Sequence, residues 1–208
     1  MSSDRKVKGF ALPELIGFVS PLVALVCIFT AIFMSPWFTW GGNALSDLGN
    51  YNNGFAAAVI FNAGLIVTGF LMMYVSISLF KSLGDWPTRL ALVALVIALL
   101  FLIGIGVFCE IFGVLHFYVS FGFFVSFPIS MWIMSLAWLR FRNLWWFCLV
   151  SFLLPFLSLY IWVTTYNGTQ PWTGVAIPEM ITSVTAIGWI WVIGFLHHKG
   201  LLNHIIKS

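Results

Sequence analysis

Six long apolar runs determine what this chain can fold into. They cover about residues 15–35, 55–80, 90–109, 115–139, 144–165 and 175–196. A helix needs about 20 such residues to cross a bilayer. None of the runs alternates between polar and apolar residues as a membrane β-strand would. The sequence therefore predicts an all-α, polytopic transmembrane bundle of six helices, and we expect residues 1–208 to form a single domain because no long linker interrupts the runs.

The composition excludes the soluble classes of protein. Hydrophobic residues make up 62% of the chain and charged residues 7%, whereas a soluble domain has about 25% charged residues. This excludes a soluble enzyme, a nucleic-acid-binding module and a disordered chain. The net charge of +3 comes from Lys and Arg scattered at helix ends, so we expect the lipid bilayer rather than nucleic acid as the partner.

The basic residues predict the orientation of the bundle. With six spans, all nine Lys and Arg fall on one side, in the two terminal segments and in the links between spans two and three and between spans four and five. Basic residues favour the cytoplasmic side of a membrane. The pattern thus predicts a multi-pass protein of the cell membrane with cytoplasmic N- and C-termini, and the links without basic residues are predicted to lie outside.

Two other residue patterns bear on chemical modification. Cys27, Cys109 and Cys148 fall inside apolar segments without CxxC spacing, which is typical of buried free thiols rather than of a disulfide framework or a zinc site. We expect no cofactor. Asn167-Gly168-Thr169 in the outer link between spans five and six is a glycosylation sequon. Asn167 is therefore a candidate glycosylation site, although Asn-Gly is also a common turn.

Acidic residues and one histidine form a candidate site on the outer side. Glu110 ends span three and His116 begins span four, so their short hairpin brings them within reach of an ion pair. Glu179 lies about 7 Å inside span six at 1.5 Å per residue. A carboxylate at that depth costs about 2.5–3.5 kcal/mol unless it is paired. We therefore expect Glu179 to point into the bundle and to bond span four or the link between spans one and two.

That link is about 18 residues long, whereas the other links are mostly short. Long loops in compact proteins are often functional. Two hypotheses concern Asp47: it bonds its own turn, or the loop folds over the bundle and brings Ser46 and Asp47 to the acidic residues. Span two contributes a small and polar stripe that contains Asn62. The candidate outer polar cluster consists of Asn43, Ser46, Asp47, Asn62, Glu110, His116 and Glu179.

Four segments resemble the domain-of-unknown-function 998 family. Residues 43–49 resemble its "N-x-(I/L)-S-D-L-G" signature, and residues 106–110 with His116 resemble its "G-(I/V)-F-x-E…H" hairpin. Residues 61–65 resemble its second span, and Pro178-Glu179 resembles its late-helix acid. The resemblance runs from about residue 40 to 180. It implies a small six-span bundle with an outward polar cluster and no established activity.

Two functions remain open at this point. The first is an accessory or packing subunit of a larger membrane complex, in which the polar cluster is structural. The alternative is an outward-facing lipid-headgroup or ligand site, and one form of it is a metal-assisted membrane hydrolase. Its metal ligands would be Asp47, Glu110, His116 and Glu179. The layout distantly resembles the ceramidase-like and progestin-receptor-like hydrolases, which use several His as zinc ligands, whereas the outer side here offers His116 alone.

Overall fold

The computed structural model describes residues 11–206, which form only helices and turns. Within this range six helices are long and apolar enough to cross a membrane. They are α1 (Leu12–Phe33), α2 (Phe55–Ser82), α3 (Trp86–Val107), α4 (Val114–Trp138), α5 (Trp145–Tyr166) and α6 (Ala176–His198). Three 3-10 turns, Leu45–Gly49, Glu110–Phe112 and Arg142–Leu144, lie between them, and the short α7 (Asn203–Ile206) follows. The predicted all-α bundle of six apolar helices is confirmed.

Local capping chemistry sets where the helices begin. The third helix starts at Trp86, four residues before its apolar run, because the Asp85 carboxylate accepts a 3.0 Å hydrogen bond from the Thr88 amide. Pro87 occupies the first turn, where its missing N–H is not needed. At the start of α1, the Glu14 carboxylate accepts a hydrogen bond from the Ala11 amide at 3.0 Å. Both acids stabilise free amides at a helix start.

Consecutive helices pack against each other, and the chain closes on itself. The contacts of α1 with α2, of α2 with α3 and of α3 with α4 are the most extensive. The fifth helix packs on α4 and α6, and α6 returns to α1. Buried indoles join neighbours by polar contacts: Trp138 donates to the Thr88 hydroxyl and Trp189 to the Ser151 hydroxyl, each at 2.8 Å. Such pairing satisfies polar atoms that are withdrawn from water.

The helix links gather at two ends of the bundle. We call one the basic end: there Arg140 pairs with Asp85, and the Gly84 amide donates to the Ile205 carbonyl at 3.2 Å. All basic residues that the structure describes lie at or near this end: Lys81, Arg89, Arg140, Arg142 and Lys199. Arg5, Lys6, Lys8 and Lys207 lie outside the described residues. The opposite, loop end contains the links 34–54, 108–113 and 167–175.

Candidate functional site

Residues 34–54, which we call the loop cap, are fastened to the last link of the chain. The amides of Thr173 and Gly174 both donate to the Gly41 carbonyl, and the Ala176 amide donates to the Asn43 carbonyl, each at 2.8 Å. The backbones approach so closely that a Cβ atom at Gly174 would collide with the backbone of Asn43. Glycine is therefore needed at this contact. The loop cap thus has a defined position over the loop end.

Glu179 anchors the loop cap from inside the bundle. It lies in the first turn of α6 and is only 9% exposed. One oxygen of its carboxylate accepts a hydrogen bond from the Leu45 amide at 2.6 Å, and the Ser46 amide also donates to it. The predicted inward orientation and the contact with the loop are confirmed. Backbone amides, which carry no net charge, therefore stabilise this carboxylate.

Asp47 stabilises the turn in which it lies. Its Oδ2 atom accepts from the Ala44 amide at 3.0 Å and from the Asn43 side chain at 2.9 Å. Asn43 in turn accepts from the Thr39 amide at 3.0 Å. The Asp47 carboxyl also lies beside that of Glu110. Asp47 thus bonds its own turn, as the first hypothesis expected, and it also lies beside one other acid.

Glu110 is half-buried in the hairpin between α3 and α4. Its Oε2 atom accepts from the Asn50 side chain at 3.2 Å. Burial and, after it, the neighbouring Asp47 carboxyl together raise the pKa of Glu110 from 4.5 to about 7. Near neutral pH this carboxyl is therefore partly protonated, which allows it to donate to Asp47. We call Asp47, Glu110 and Glu179 the carboxylate cluster.

Asn62 ties α2 to the loop cap. It is 3% exposed, and its amide nitrogen donates to the Gly49 carbonyl at 2.9 Å. Its side-chain oxygen is buried without a hydrogen-bond partner among the described residues. A Cβ atom at Gly49 would collide with that oxygen. The close approach explains why the loop has a glycine here.

His116 and Ser46 are placed differently from the prediction. His116 is buried, and its Nδ1 atom donates to the Phe108 carbonyl at 2.8 Å while Nε2 contacts the Ser120 hydroxyl at 3.2 Å. The expected ion pair with Glu110 is not among those of the described residues, because the Nδ1–H of His116 donates to the hairpin carbonyl of Phe108 instead. The half-buried Ser46 contributes its backbone amide, whereas its hydroxyl has no hydrogen-bond partner in the described range.

The described residues contain no group of three or more His, Cys, Asp or Glu side chains arranged to hold a metal ion. The proposed ligands Asp47, Glu110, His116 and Glu179 therefore do not form a metal site in this conformation. Asn167 is exposed at the end of α5. The hydroxyl of Thr169, the third residue of its sequon, donates to the Thr164 carbonyl at 2.9 Å. Glycosylation of Asn167 stays a prediction.

Several residues that build the site are missed by the sequence analysis. The side chain of Asn50 and the amides of Leu45 and Ser46 stabilise the carboxylates. Every residue except proline has a backbone amide, so residue types cannot show which amides bind the carboxylates. At the basic end, Glu14 binds both His197 and His198.

Comparison with known proteins gives one match. Residues 18–197 match the model of a family described as "Protein of unknown function (DUF998)". The matched range includes nearly all of the six apolar helices and every residue of the carboxylate cluster. No curated protein and no solved structure matches the chain.

Proposed function

The chain belongs to the DUF998 family, and we propose that it is a packing subunit of a larger membrane complex whose carboxylate cluster is structural. The observation that carries this proposal is that each of the three acids accepts a hydrogen bond within the protein. Glu179 accepts from the Leu45 amide, Asp47 from the Ala44 amide and Glu110 from the Asn50 side chain. Each acid thus helps to hold the loop cap in place, as expected of a hydrogen-bond network with a structural role.

The proposal of a packing subunit is supported by the surface of α5. Its apolar side chains Leu149, Leu153, Phe156, Tyr160 and Val163 are each about half exposed. They follow one another at spacings of four, three, four and three residues, which is the spacing of a helix that packs along another helix. We propose that this stripe contacts a helix of another membrane protein.

A photo-crosslinking amino acid at position 156 tests the packing role in membranes of the native host. Val26 of α1 is 64% exposed and apolar, so the same label at position 26 is the matched control. We expect a discrete protein–protein adduct from position 156 and only lipid adducts from position 26. Lipid adducts alone from both positions would contradict the role, because they would mean that α5 faces the bilayer.

A second candidate function is an outward-facing site for a lipid headgroup that carries an amine, and one observation favours it. Glu110 lies beside Asp47 at the surface, and neither acid pairs with a cation in residues 11–206. A primary amine would neutralise such a pair. A metal-assisted hydrolase at the same place has less support, because the acids and His116 are not grouped for coordination.

The headgroup function is tested by binding to nanodiscs of defined composition. Phosphatidylethanolamine carries an amine and phosphatidylglycerol does not. A preference for phosphatidylethanolamine that is lost in Glu110→Gln would favour the headgroup site. Equal retention of both lipids in the wild-type protein and the variant would leave the structural role as the better account of the cluster.

A further inference from the structure

A cavity of about 130 Å³ lies between α1, α2, α3 and α6, at the end of the bundle opposite the loop cap. Its wall is mainly apolar and includes Met72, Val75, Leu79, Leu92, Leu95 and Ile193. An apolar cavity of about 150 Å³ is large enough to hold benzene. The cavity is not sealed, and along α2 it extends from Met72 to Ser82, a rise of about 15 Å. A slender apolar chain fits this shape better than a compact molecule does.

The mouth of the cavity is polar and combines a carboxylate, a histidine and two serine hydroxyls. Glu14 and His197 lie there, together with Ser78 and Ser82 of α2. The Glu14 carboxylate accepts from Nδ1 of His197 at 2.8 Å and from Nδ1 of His198 at 3.1 Å. Its side chain is only 11% exposed. Together with the Ala11 amide, the two histidines fill three of the about four acceptor positions of this carboxylate, which leaves one for the donor of a ligand.

The serine hydroxyls at the mouth can also accept a hydrogen bond from a ligand. The hydroxyls of Ser78 and Ser82 donate to the carbonyls of Tyr74 and Leu79 within their own helix. Their protons are therefore occupied, and their oxygens remain able to accept. Because these residues end α2 while Glu14 begins α1 and His197 ends α6, the mouth lies where helices of this length meet the membrane surface.

We propose that this cavity binds a single-chain amphiphile whose head carries hydrogen-bond donors, a hydroxyl or an ammonium group. The chain lies among the apolar side chains between the helices, and the head donates to Glu14 and the serine oxygens. This site is separate from the carboxylate cluster, and it does not depend on the packing role.

Binding is measured by native mass spectrometry of the full chain in detergent, with monoolein, oleylamine and oleate as probes. The three share one chain and differ in the head, so they separate a hydroxyl donor, an ammonium donor and an anion. We expect monoolein, oleylamine or both to bind and oleate to bind at least about tenfold more weakly. Equal binding of oleate, or no binding of any probe, would overturn the proposal.

Two glycines provide a matched pair of variants. Gly17 lines the cavity, and an added Cβ atom there would make an ordinary 3.5 Å contact with Val75. Gly17→Leu therefore fills the cavity. At Gly188 an added Cβ atom meets nothing within 4 Å, and this glycine is not part of the wall. We expect Gly17→Leu to weaken binding by about tenfold or more, and Gly188→Leu to leave it unchanged within about twofold.

Should Gly17→Leu not fold, Leu79→Trp fills the same cavity from the α2 side.

Glu14→Gln tests how the head of the amphiphile is recognised, because it keeps the size of the side chain and removes its charge. We expect this variant to reduce the discrimination between oleylamine and oleate while leaving the affinity for monoolein less affected. Unchanged binding by both filling variants would contradict the assignment of the ligand to this cavity.

Discussion

The Glu179 carboxylate in α6 accepts a 2.6 Å hydrogen bond from the Leu45 amide, 134 residues earlier in the chain. This bond joins the loop after the first span to the beginning of the last span. No cation of the described residues pairs with Glu179. Its burial is therefore tolerated because backbone amides replace the hydrogen bonds that water would otherwise make.

Replacing Glu179 tests whether its carboxylate stabilises the position of the loop cap. Glu179→Leu removes the acceptor and leaves the Leu45 amide unpaired, so we expect a loss of about 1–3 kcal/mol in the free energy of unfolding. Glu179→Gln keeps an acceptor oxygen and should cost less than about 1 kcal/mol. Thermal melts of both variants in the same detergent measure the difference. If Glu179→Leu melts at the wild-type temperature, the bond does not hold the loop cap.

The raised pKa of Glu110 predicts a pH-dependent stability. Because its pKa in the folded protein is about 7 instead of 4.5, the stabilisation is complete below about pH 4.5 and is lost as the pH rises through about 7. The glutamine in Glu110→Gln does not ionise, so its side chain adds no pH dependence to the stability of the variant. We expect the variant to gain about 1 kcal/mol over the wild type between pH 5 and pH 8, a value reduced for the exposure of the side chain.

Melting temperatures of the wild-type protein and Glu110→Gln across that pH range supply the measurement. Comparing the two proteins at each pH removes the contribution of every other titrating group that the change leaves unaltered. A difference that stays constant from pH 5 to pH 8 would mean that Glu110 ionises as easily in the folded as in the unfolded chain.

Gly49 and Gly41 offer a test of the packing between the loop cap and α2. A methyl group at Gly49 collides with the Asn62 oxygen, whereas one at Gly41 would lie an ordinary 3.7 Å from Trp172. Gly49→Ala should lower stability by about 1–3 kcal/mol, as overpacking of an interior does, and Gly41→Ala should change it by less than about 0.5 kcal/mol. Equal melting temperatures for the two variants would contradict the close approach of loop and helix.

The orientation in the membrane is predicted from the basic residues and can be tested by cysteine labelling. In a background without Cys27, Cys109 and Cys148, an impermeant maleimide should label Asn52→Cys from outside intact cells. It should label Gly84→Cys only after the membrane is opened, because this link lies at the basic end, which we expect to be cytoplasmic. Labelling with the opposite accessibility at either position would reverse the orientation.

The helices could be predicted because each is a long apolar run, and the requirement for a continuous hydrophobic segment leaves few alternatives. Their ends were predicted less well. The α3 helix starts earlier than its apolar run because Asp85 and Pro87 stabilise a first turn that hydrophobicity does not report. Capping residues are visible in a sequence only when the helix boundary is already known.

Part of the candidate site could also be predicted, here from the energetic cost of burying charged groups. The burial of Glu179 followed from the cost of exposing a carboxylate to lipid, and the contact with the loop cap bears this out. The partner of His116 could not be predicted, because the Phe108 carbonyl that accepts its hydrogen bond is a backbone group. Every residue has such a carbonyl, so residue types alone favoured Glu110 as the partner.

The contacts of the loop cap with residues 173–179 also order events during biosynthesis. At about 5–20 residues per second, roughly 7–27 s pass between the synthesis of Leu45 and that of Glu179. Until the ribosome reaches residues 173–179, the partners of the loop at Thr173, Gly174, Ala176 and Glu179 do not yet exist. Insertion of the final span is thus the step that completes the first loop, and a nascent chain truncated before residue 173 presents an unfinished surface to membrane quality control.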